Sequence, residues 1–145
     1  AFAVDLGDER ALFSGDVLVE PFRAAALNVG LDRGAEGAVA DYYRAFDRLA
    51  GRSFDRVYPG HGPVFEQYDP VLGASRQRPD GLVESTFDAV ASAGPASAVA
   101  VCEARGKRLE PPAAMLDTIG ALGYLAEQGR VRSSVDEGVR RYRTA

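Results

Sequence analysis

Cysteine, histidine and lysine are nearly absent from this chain of 145 residues, with one residue each: Cys102, His61 and Lys107. A lone cysteine cannot close an intramolecular disulfide, which excludes a disulfide-stapled secreted scaffold and agrees with a reducing compartment. A nucleophilic cysteine needs an activating neighbour, and the single histidine has a better-supported role below. We therefore read Cys102 as a small, buried apolar side chain.

Long apolar runs are absent as well. No segment approaches the roughly 20 residues that span a bilayer, and no basic region followed by an apolar stretch opens the chain. The sequence disfavours a membrane or secreted protein, so we expect a cytoplasmic location and no membrane partner. The chain begins at Ala1 with a strand-like segment, and we expect it to be a processed or truncated piece.

The composition is that of a folded globular protein, with 46% apolar and 26% charged residues. Its 17 basic and 21 acidic residues give a net charge of −4, which argues against general nucleic-acid binding. The charge is unevenly spread, because residues 1–104 carry a net −7 and residues 105–145 a net +3. The C-terminal third therefore differs in character from the rest.

The first third of the chain predicts a β-hairpin. Residues 2–6 and 11–14 are apolar and β-prone, and a Gly- and acid-containing turn separates them. The second strand ends at Gly15-Asp16. Residues 17–34 contain proline and glycine without periodicity, and we read them as a loop with short irregular elements.

A helix and a third strand follow. Apolar residues recur at helical spacing over 35–49, and Gly51 stands where a C-terminal cap belongs. Residues 54–58 predict a short strand, which the sequence Pro-Gly-His-Gly-Pro at 59–63 ends at once. Strand, helix and strand in this order indicate an α/β fold.

The C-terminal half predicts helices and a basic hairpin. An amphipathic segment covers 82–93, and a further helix begins after two prolines and ends at Gly129. Residues 130–133 and 139–143 flank a turn at 136–138 and carry arginines on both arms. This order resembles a winged helix. We place the domain boundary between 1–80 and 81–145.

His61 lies in a segment that cannot be regular structure, because two prolines and two glycines surround it. Such a backbone leaves the imidazole unobstructed, as a metal ligand or a general base requires. Asp16 ends a strand, where ligand sites of α/β sheets gather. Taken singly, each residue has a plainer interpretation: a solvent-facing loop histidine, and an aspartate that caps the following turn.

Together the two residues resemble a known pattern. The strand ALFSGD, the helix DYYRAFDRLAG and the strand FDRVYPGHGP are similar in order and spacing to the C-terminal half of a metallo-β-lactamase-fold hydrolase. The resemblance implies half of an αββα sandwich over residues 1–80, followed by a small winged-helix-like α+β domain. It also implies that Asp16 bridges two metal ions and that His61 binds the second one, while Gly15, Gly60 and Gly62 shape the site loops.

The chemistry of these residue types agrees with that role. A carboxylate has two oxygens for two cations, and neutral imidazole is a good zinc ligand. The resemblance implies two zinc ions in the complete protein, with iron or manganese as the metals of some relatives. Metal ions activate water and polarise the scissile bond. The resemblance therefore implies hydrolysis of an ester, thioester or phosphodiester bond in a small-molecule or phosphodiester substrate.

The sequence motifs that the N-terminal half of this fold contributes in that family are missing from this chain. That half supplies an HxHxDH motif and a further histidine, whereas this chain has no histidine besides His61. Five of the usual seven ligands are therefore absent, and we expect the 145-residue chain by itself to be inactive and to bind zinc weakly. An exposed sheet edge would favour aggregation or a homo-oligomer.

A second hypothesis is a binding module without catalytic activity, in which the winged-helix-like part contacts nucleic acid or a partner chain. The arginines of the last hairpin motivate it, and replacement of Arg140 and Arg141 would then weaken binding to DNA. These arginines are Arg130, Arg132, Arg140, Arg141 and Arg143. A solvated basic face is the simpler interpretation, so we favour the hydrolase.

Overall fold

The computed structural model describes residues 1–20, 34–110 and 112–145. In chain order the elements are β1 (Phe2–Leu6), β2 (Glu9–Gly15), a 3-10 turn (Ala35–Gly37), α1 (Ala38–Leu49), β3 (Arg56–Pro59), α2 (Tyr68–Ala93), β4 (Ala96–Ser97), α3 (Ala98–Ala104), α4 (Ala113–Glu127), β5 (Val131–Asp136) and β6 (Val139–Thr144). The predicted α/β class is confirmed.

The chain forms two compact units. Within the described residues, the first unit comprises 1–20 and Tyr42–Arg78, and the second comprises 34–41 and Pro79–Ala145. The division between the units falls inside α1 and inside α2. The domains that the sequence suggested, 1–80 and 81–145, stay a prediction.

The first unit contains a three-stranded sheet in the order β1-β2-β3. β1 and β2 pair in antiparallel fashion as the predicted hairpin, with Phe2 opposite Phe13. β2 and β3 pair in parallel, with Leu12 opposite Val57. Because parallel neighbours require a crossover connection, the ends of β2 and β3 meet at one edge although about 40 residues separate them.

The core of the first unit lies on one face of this sheet. Strand, helix and loop residues contribute to it, and all of them are nearly inaccessible to solvent: Leu12, Leu18, Phe46, Leu49, Phe54, Val57, Phe65, Tyr68 and Val71. The opposite face carries a row of stacked aromatic rings, Phe2 on Phe13 on Tyr58, with centroids 5.0 and 4.8 Å apart. This core fixes the strands whose ends carry the predicted site.

The second unit contains another three-stranded sheet, in the order β4-β6-β5. β4 precedes α3, and β5 and β6 form an antiparallel hairpin after α4. The turn residues Glu137 and Gly138 both have positive φ, 48° and 78°, as a type I′ hairpin turn requires. The predicted C-terminal hairpin is confirmed, and so is the buried position of Cys102, which is fully inaccessible.

One predicted element needs correction, and two elements were not predicted. α2 begins at Tyr68 rather than at residue 82, because its prolines and glycines do not interrupt it. α3 and β4 were not predicted; α3 is only seven residues long, and the Ser97 hydroxyl caps it by accepting a hydrogen bond from the Ala100 N–H at 3.2 Å.

The helix predicted over 35–49 is confirmed, with its first three residues in a 3-10 turn. The irregular loop predicted over 17–34 lies mostly outside the described residues. Among the helices that the structure describes, none combines the length and apolar character needed to cross a bilayer.

Candidate functional site

Asp16 is positioned by an irregularity at the end of β2. The register between β2 and β3 shifts between Phe13 and Gly15, and Gly15 adopts a positive φ of 55°. Such a bulge redirects the side chain that follows it. The turn is fixed from inside by the buried hydroxyl of Ser14, which donates to the Leu18 carbonyl at 2.8 Å.

His61 lies in the loop after β3 and meets Asp16 there. The His61 Nδ1 to Asp16 Oδ1 distance is 2.7 Å, although 45 residues separate the two in sequence. If the Asp16 carboxylate is ionised it can only accept, so Nδ1 is the donor, and Nε2 has no part in this hydrogen bond. The imidazole is 80% exposed and the Asp16 side chain 29% exposed. The structure thus brings together the two residues that the sequence singled out.

The loop glycines have steric reasons to be glycine. The Gly60 N–H donates to the Gly15 carbonyl at 2.9 Å, which ties the two loops together. A Cβ on Gly60 would fall 2.6 Å from Asp16 Oδ1. Gly62 has a φ of 87°, and a Cβ there would press on the Glu20 carbonyl at 3.0 Å. All three predicted glycines, Gly15, Gly60 and Gly62, therefore lie in the loops around the Asp16–His61 pair.

The donor types suit a divalent metal, but their number is too small. A carboxylate and an imidazole are common zinc ligands, whereas a catalytic zinc takes three protein ligands. The described residues contain no group of three or more His, Cys, Asp or Glu side chains that could hold a metal ion. Asp16 and His61 alone therefore do not make a complete zinc site.

An open cleft of about 530 Å³ flanks this loop, lined by Glu20, Arg56, Tyr58, Val64, Phe65, Glu66 and Gln67. A hydrogen bond with Tyr58, followed by the charge of Glu9, raises the pKa of Arg56. The cleft thus contains a permanent cation. Sequence analysis missed it; the only signal was the alternation of Arg56 and Tyr58 along a predicted strand.

Three arginines of the C-terminal hairpin are engaged with carboxylates of their own unit. Arg130 binds Glu84 and also lies 4.2 Å above the ring of Phe87. The other two pairs are Arg140 with Glu36 at 2.6 Å and Arg141 with Asp136 at 3.1 Å. Arg140 and Arg141, the pair that the sequence offered for DNA contacts, are therefore already neutralised within the chain.

No protein-family model matches the sequence. Two solved structures share the fold over 99% of this chain, each with 21% sequence identity. One is a beta-lactamase domain protein from Burkholderia ambifaria, with a TM-score of 0.78. The other is a metallo-beta-lactamase family protein from Thermus thermophilus, with a TM-score of 0.72.

The chain spans about half of each of these structures, 50% of the first and 52% of the second. It therefore has the fold of part of a metallo-β-lactamase-fold protein. The resemblance drawn from the strand ends and the PGHGP loop is confirmed at the level of the fold.

Proposed function

We propose that the chain is part of a metal-dependent hydrolase of the metallo-β-lactamase fold, in which Asp16 and His61 are metal ligands. The observation that carries the proposal is the 2.7 Å contact between Asp16 and His61 at the ends of two parallel strands. The shared fold supports it. The substrate class is an ester, a thioester or a phosphodiester, and zinc is the metal that this donor set suits best.

The part played by this chain is to hold two donor groups in place. The bulge after β2 and the glycine loop after β3 fix the carboxylate and the imidazole against each other. Hydrolysis requires further ligands from outside the described residues, so the 145-residue chain by itself is expected to be inactive. When bound, a divalent metal would supply Lewis acidity. A cytoplasmic location, supported by the lone Cys102, is part of the same proposal.

The cleft beside the loop is a candidate substrate-binding surface. Its residues flank the His61 loop on both sides in sequence, and Arg56 supplies a fixed positive charge on β3. Glu9 and Glu66 each lie 3.4 Å from Arg56, and Glu20 also lines the cleft, so carboxylates outnumber the guanidinium there. The lining therefore offers polar groups of both signs and no net positive charge.

We also propose that the second unit is a winged-helix-like module. The order helix, short strand, helix, helix, hairpin and the strand order β4-β6-β5 support this assignment. The sequence of α4 does not favour recognition of bases in the major groove of DNA by this module. α4, the helix that would enter the groove, contains no lysine or arginine, and its interior glycines Gly120 and Gly123 face the 3-10 turn Ala35–Gly37.

The metal-binding part of the proposal can be tested on this chain. His61 is the only histidine, so its ring resonances are unambiguous in a ¹⁵N-labelled sample. We expect added Zn²⁺ to shift these resonances with weak affinity, and Asp16→Asn to weaken binding further. Asp8→Asn, in the exposed β1–β2 turn, is the matched control. Unchanged His61 resonances at saturating Zn²⁺ would contradict the assignment.

The catalytic part of the proposal must be tested on the protein as it is isolated from its own cells. An intact mass near 15.4 kDa would contradict the hydrolase proposal, whereas a mass about twice as large would leave room for the further ligands. The longer protein should contain zinc and hydrolyse a chromogenic ester, a thioester or bis(p-nitrophenyl) phosphate. Asp16→Ala or His61→Ala should abolish second-site metal binding and turnover, and full retention of both would contradict the proposal.

A further inference from the structure

Two arginines lie directly opposite each other on the C-terminal hairpin. Arg132 on β5 and Arg143 on β6 are cross-strand partners, and both are exposed. Like charges in this arrangement repel and destabilise the strand pair. Neither guanidinium forms an ion pair with any residue that the structure describes, in contrast to the three neighbouring arginines. The uncompensated positive charge of the hairpin is therefore concentrated at one point.

The surface around this pair is open and polar. Side chains alternate between the two faces of a strand, so Arg132 and Arg143 project away from the buried Val131 and Tyr142. Residues 134 and 141 share the outer face with them. This outer face of β5–β6 contains no aromatic side chain, so nothing on it can stack on an unpaired base.

We propose that Arg132 and Arg143 together bind one phosphate group in the backbone of a nucleic-acid duplex. Guanidinium groups present a planar fork of donors that matches phosphate oxygens, and an anion between the two side chains would replace their repulsion with two attractions. A duplex is favoured over a single strand because it offers denser phosphate charge and needs no stacking platform. The contact is independent of base sequence and of the Asp16–His61 site.

The test measures binding of a short fluorescein-labelled DNA duplex to the complete 145-residue chain by fluorescence anisotropy at low ionic strength. Both guanidinium groups are exposed, where each charge-assisted contact is worth only a few-fold in affinity, so the double variant Arg132→Gln/Arg143→Gln should bind roughly tenfold more weakly. Loss of one phosphate contact should also reduce the slope of log K against log salt by about 0.9.

The matched control is Arg140→Gln/Arg141→Gln, which removes the same charge from the same hairpin but from arginines that already have carboxylate partners. It should retain affinity within about threefold, because these two guanidinium groups already have carboxylate partners and make no phosphate contact in the proposal. Equal losses in both double variants would overturn the proposal, and so would absence of binding by the unmodified chain. Equal competition by a polyglutamate peptide of the same charge would overturn it as well, in favour of an acidic protein partner.

Thermal unfolding provides a second, independent measurement. Removal of the repulsion should leave the Tm of Arg132→Gln/Arg143→Gln equal to or above that of the unmodified chain. Inorganic phosphate should raise the Tm of the unmodified chain and of the Arg140→Gln/Arg141→Gln control by more than that of the Arg132→Gln/Arg143→Gln variant. An equal phosphate effect on all three proteins would overturn the site.

Discussion

Arg130 and Glu84 are joined by two parallel hydrogen bonds, from Nη1 to Oε1 at 2.6 Å and from Nη2 to Oε2 at 3.0 Å. This bond lowers the pKa of Glu84 below its ordinary value, against the opposing effect of burial. The folded state therefore favours the ionised form of the Glu84 carboxylate over the protonated form. The resulting stabilisation is present above the unfolded pKa of about 4.3 and is lost as the pH falls through the lower folded pKa.

We therefore predict that Glu84→Gln lowers the free energy of unfolding near neutral pH by up to about 1 kcal/mol, since the pair is solvent-exposed. The difference from the unmodified chain should shrink as the pH falls below about 4.3. Urea unfolding at several pH values measures it, with Glu110→Gln in an exposed loop as the control. A difference that is the same at neutral and acidic pH would rule out the ion pair as its source.

A second prediction concerns Gly60, which leaves no room for a Cβ beside the Asp16 carboxylate. Gly60→Ala should displace this carboxylate and break its hydrogen bond with His61, at a cost of about 1 kcal/mol of stability, because the group that must move is the end of a side chain. Gly73→Ala is the matched control, because a Cβ there meets nothing within 4 Å and lies in a helix. It should stabilise the chain by up to about 1 kcal/mol. Identical His61 ring resonances in both variants would contradict the steric argument.

A third prediction concerns Gly123, where a Cβ would overlap the Glu36 carbonyl oxygen. Gly123→Ala should force the 3-10 turn Ala35–Gly37 away from α4 and destabilise the second unit by about 1–3 kcal/mol, despite the better helix propensity of alanine. Gly81→Ala, which meets nothing within 4 Å, should stabilise α2 instead. Thermal unfolding of the two variants should therefore shift in opposite directions, and a parallel shift would contradict this packing.

Tyr68 provides a fourth prediction. Its hydroxyl donates to the Leu49 carbonyl at 2.7 Å, and burial raises its pKa above the ordinary value. Tyr68→Phe should cost about 0.5–1.5 kcal/mol, because the Leu49 carbonyl loses one of its two donors and keeps the Arg52 N–H at 3.2 Å. A raised folded pKa means that this contribution is present below the unfolded pKa of about 10 and is lost as the pH rises through the folded pKa. The two proteins should therefore converge in stability at alkaline pH, as urea unfolding would show.

The local elements of the fold could be predicted where short-range signals decide them. The β1–β2 hairpin follows from a turn at Gly7, whose φ is 69°, between two apolar strands. α1 follows from the helical spacing of its apolar residues and from Gly51, which adopts a φ of 73° as a C-terminal cap. The β5–β6 hairpin follows from the Glu137-Gly138 turn in the same way.

The start of α2 could not be predicted because tertiary packing overrides local preference there. Pro70 lies in the first turn, where its missing N–H costs no hydrogen bond, and Tyr68 and Val71 are buried in the core of the first unit. Gly73 and Gly81 add only a propensity cost. The amphipathic pattern that predicts this helix begins only at residue 82.

The pairing of Asp16 with His61 was expected only through the resemblance to the metallo-β-lactamase fold, since each residue taken singly has a plainer interpretation. The structure shows how the two residues meet: β2 and β3 pair in parallel, and their ends lie at one edge. The bulge at Phe13 and Gly15 and the bond from Ser14 to Leu18 arise from contacts that no local pattern encodes. The same holds for the partners of the hairpin arginines, since Glu36 and Arg140 are 104 residues apart.

The two glycines of α4 have a consequence for how the chain folds. Each lowers helix propensity by about 1 kcal/mol, and a helix of 15 residues is marginal in water even with favourable residues. An isolated peptide of residues 112–128 should therefore be largely unstructured by circular dichroism. α4 is therefore stabilised by tertiary packing, to which α3, β5 and the turn at Ala35–Gly37, about 80 residues earlier in the chain, all contribute. Because the turn and the helix are so far apart in sequence, their contact couples the folding of an early segment to that of α4.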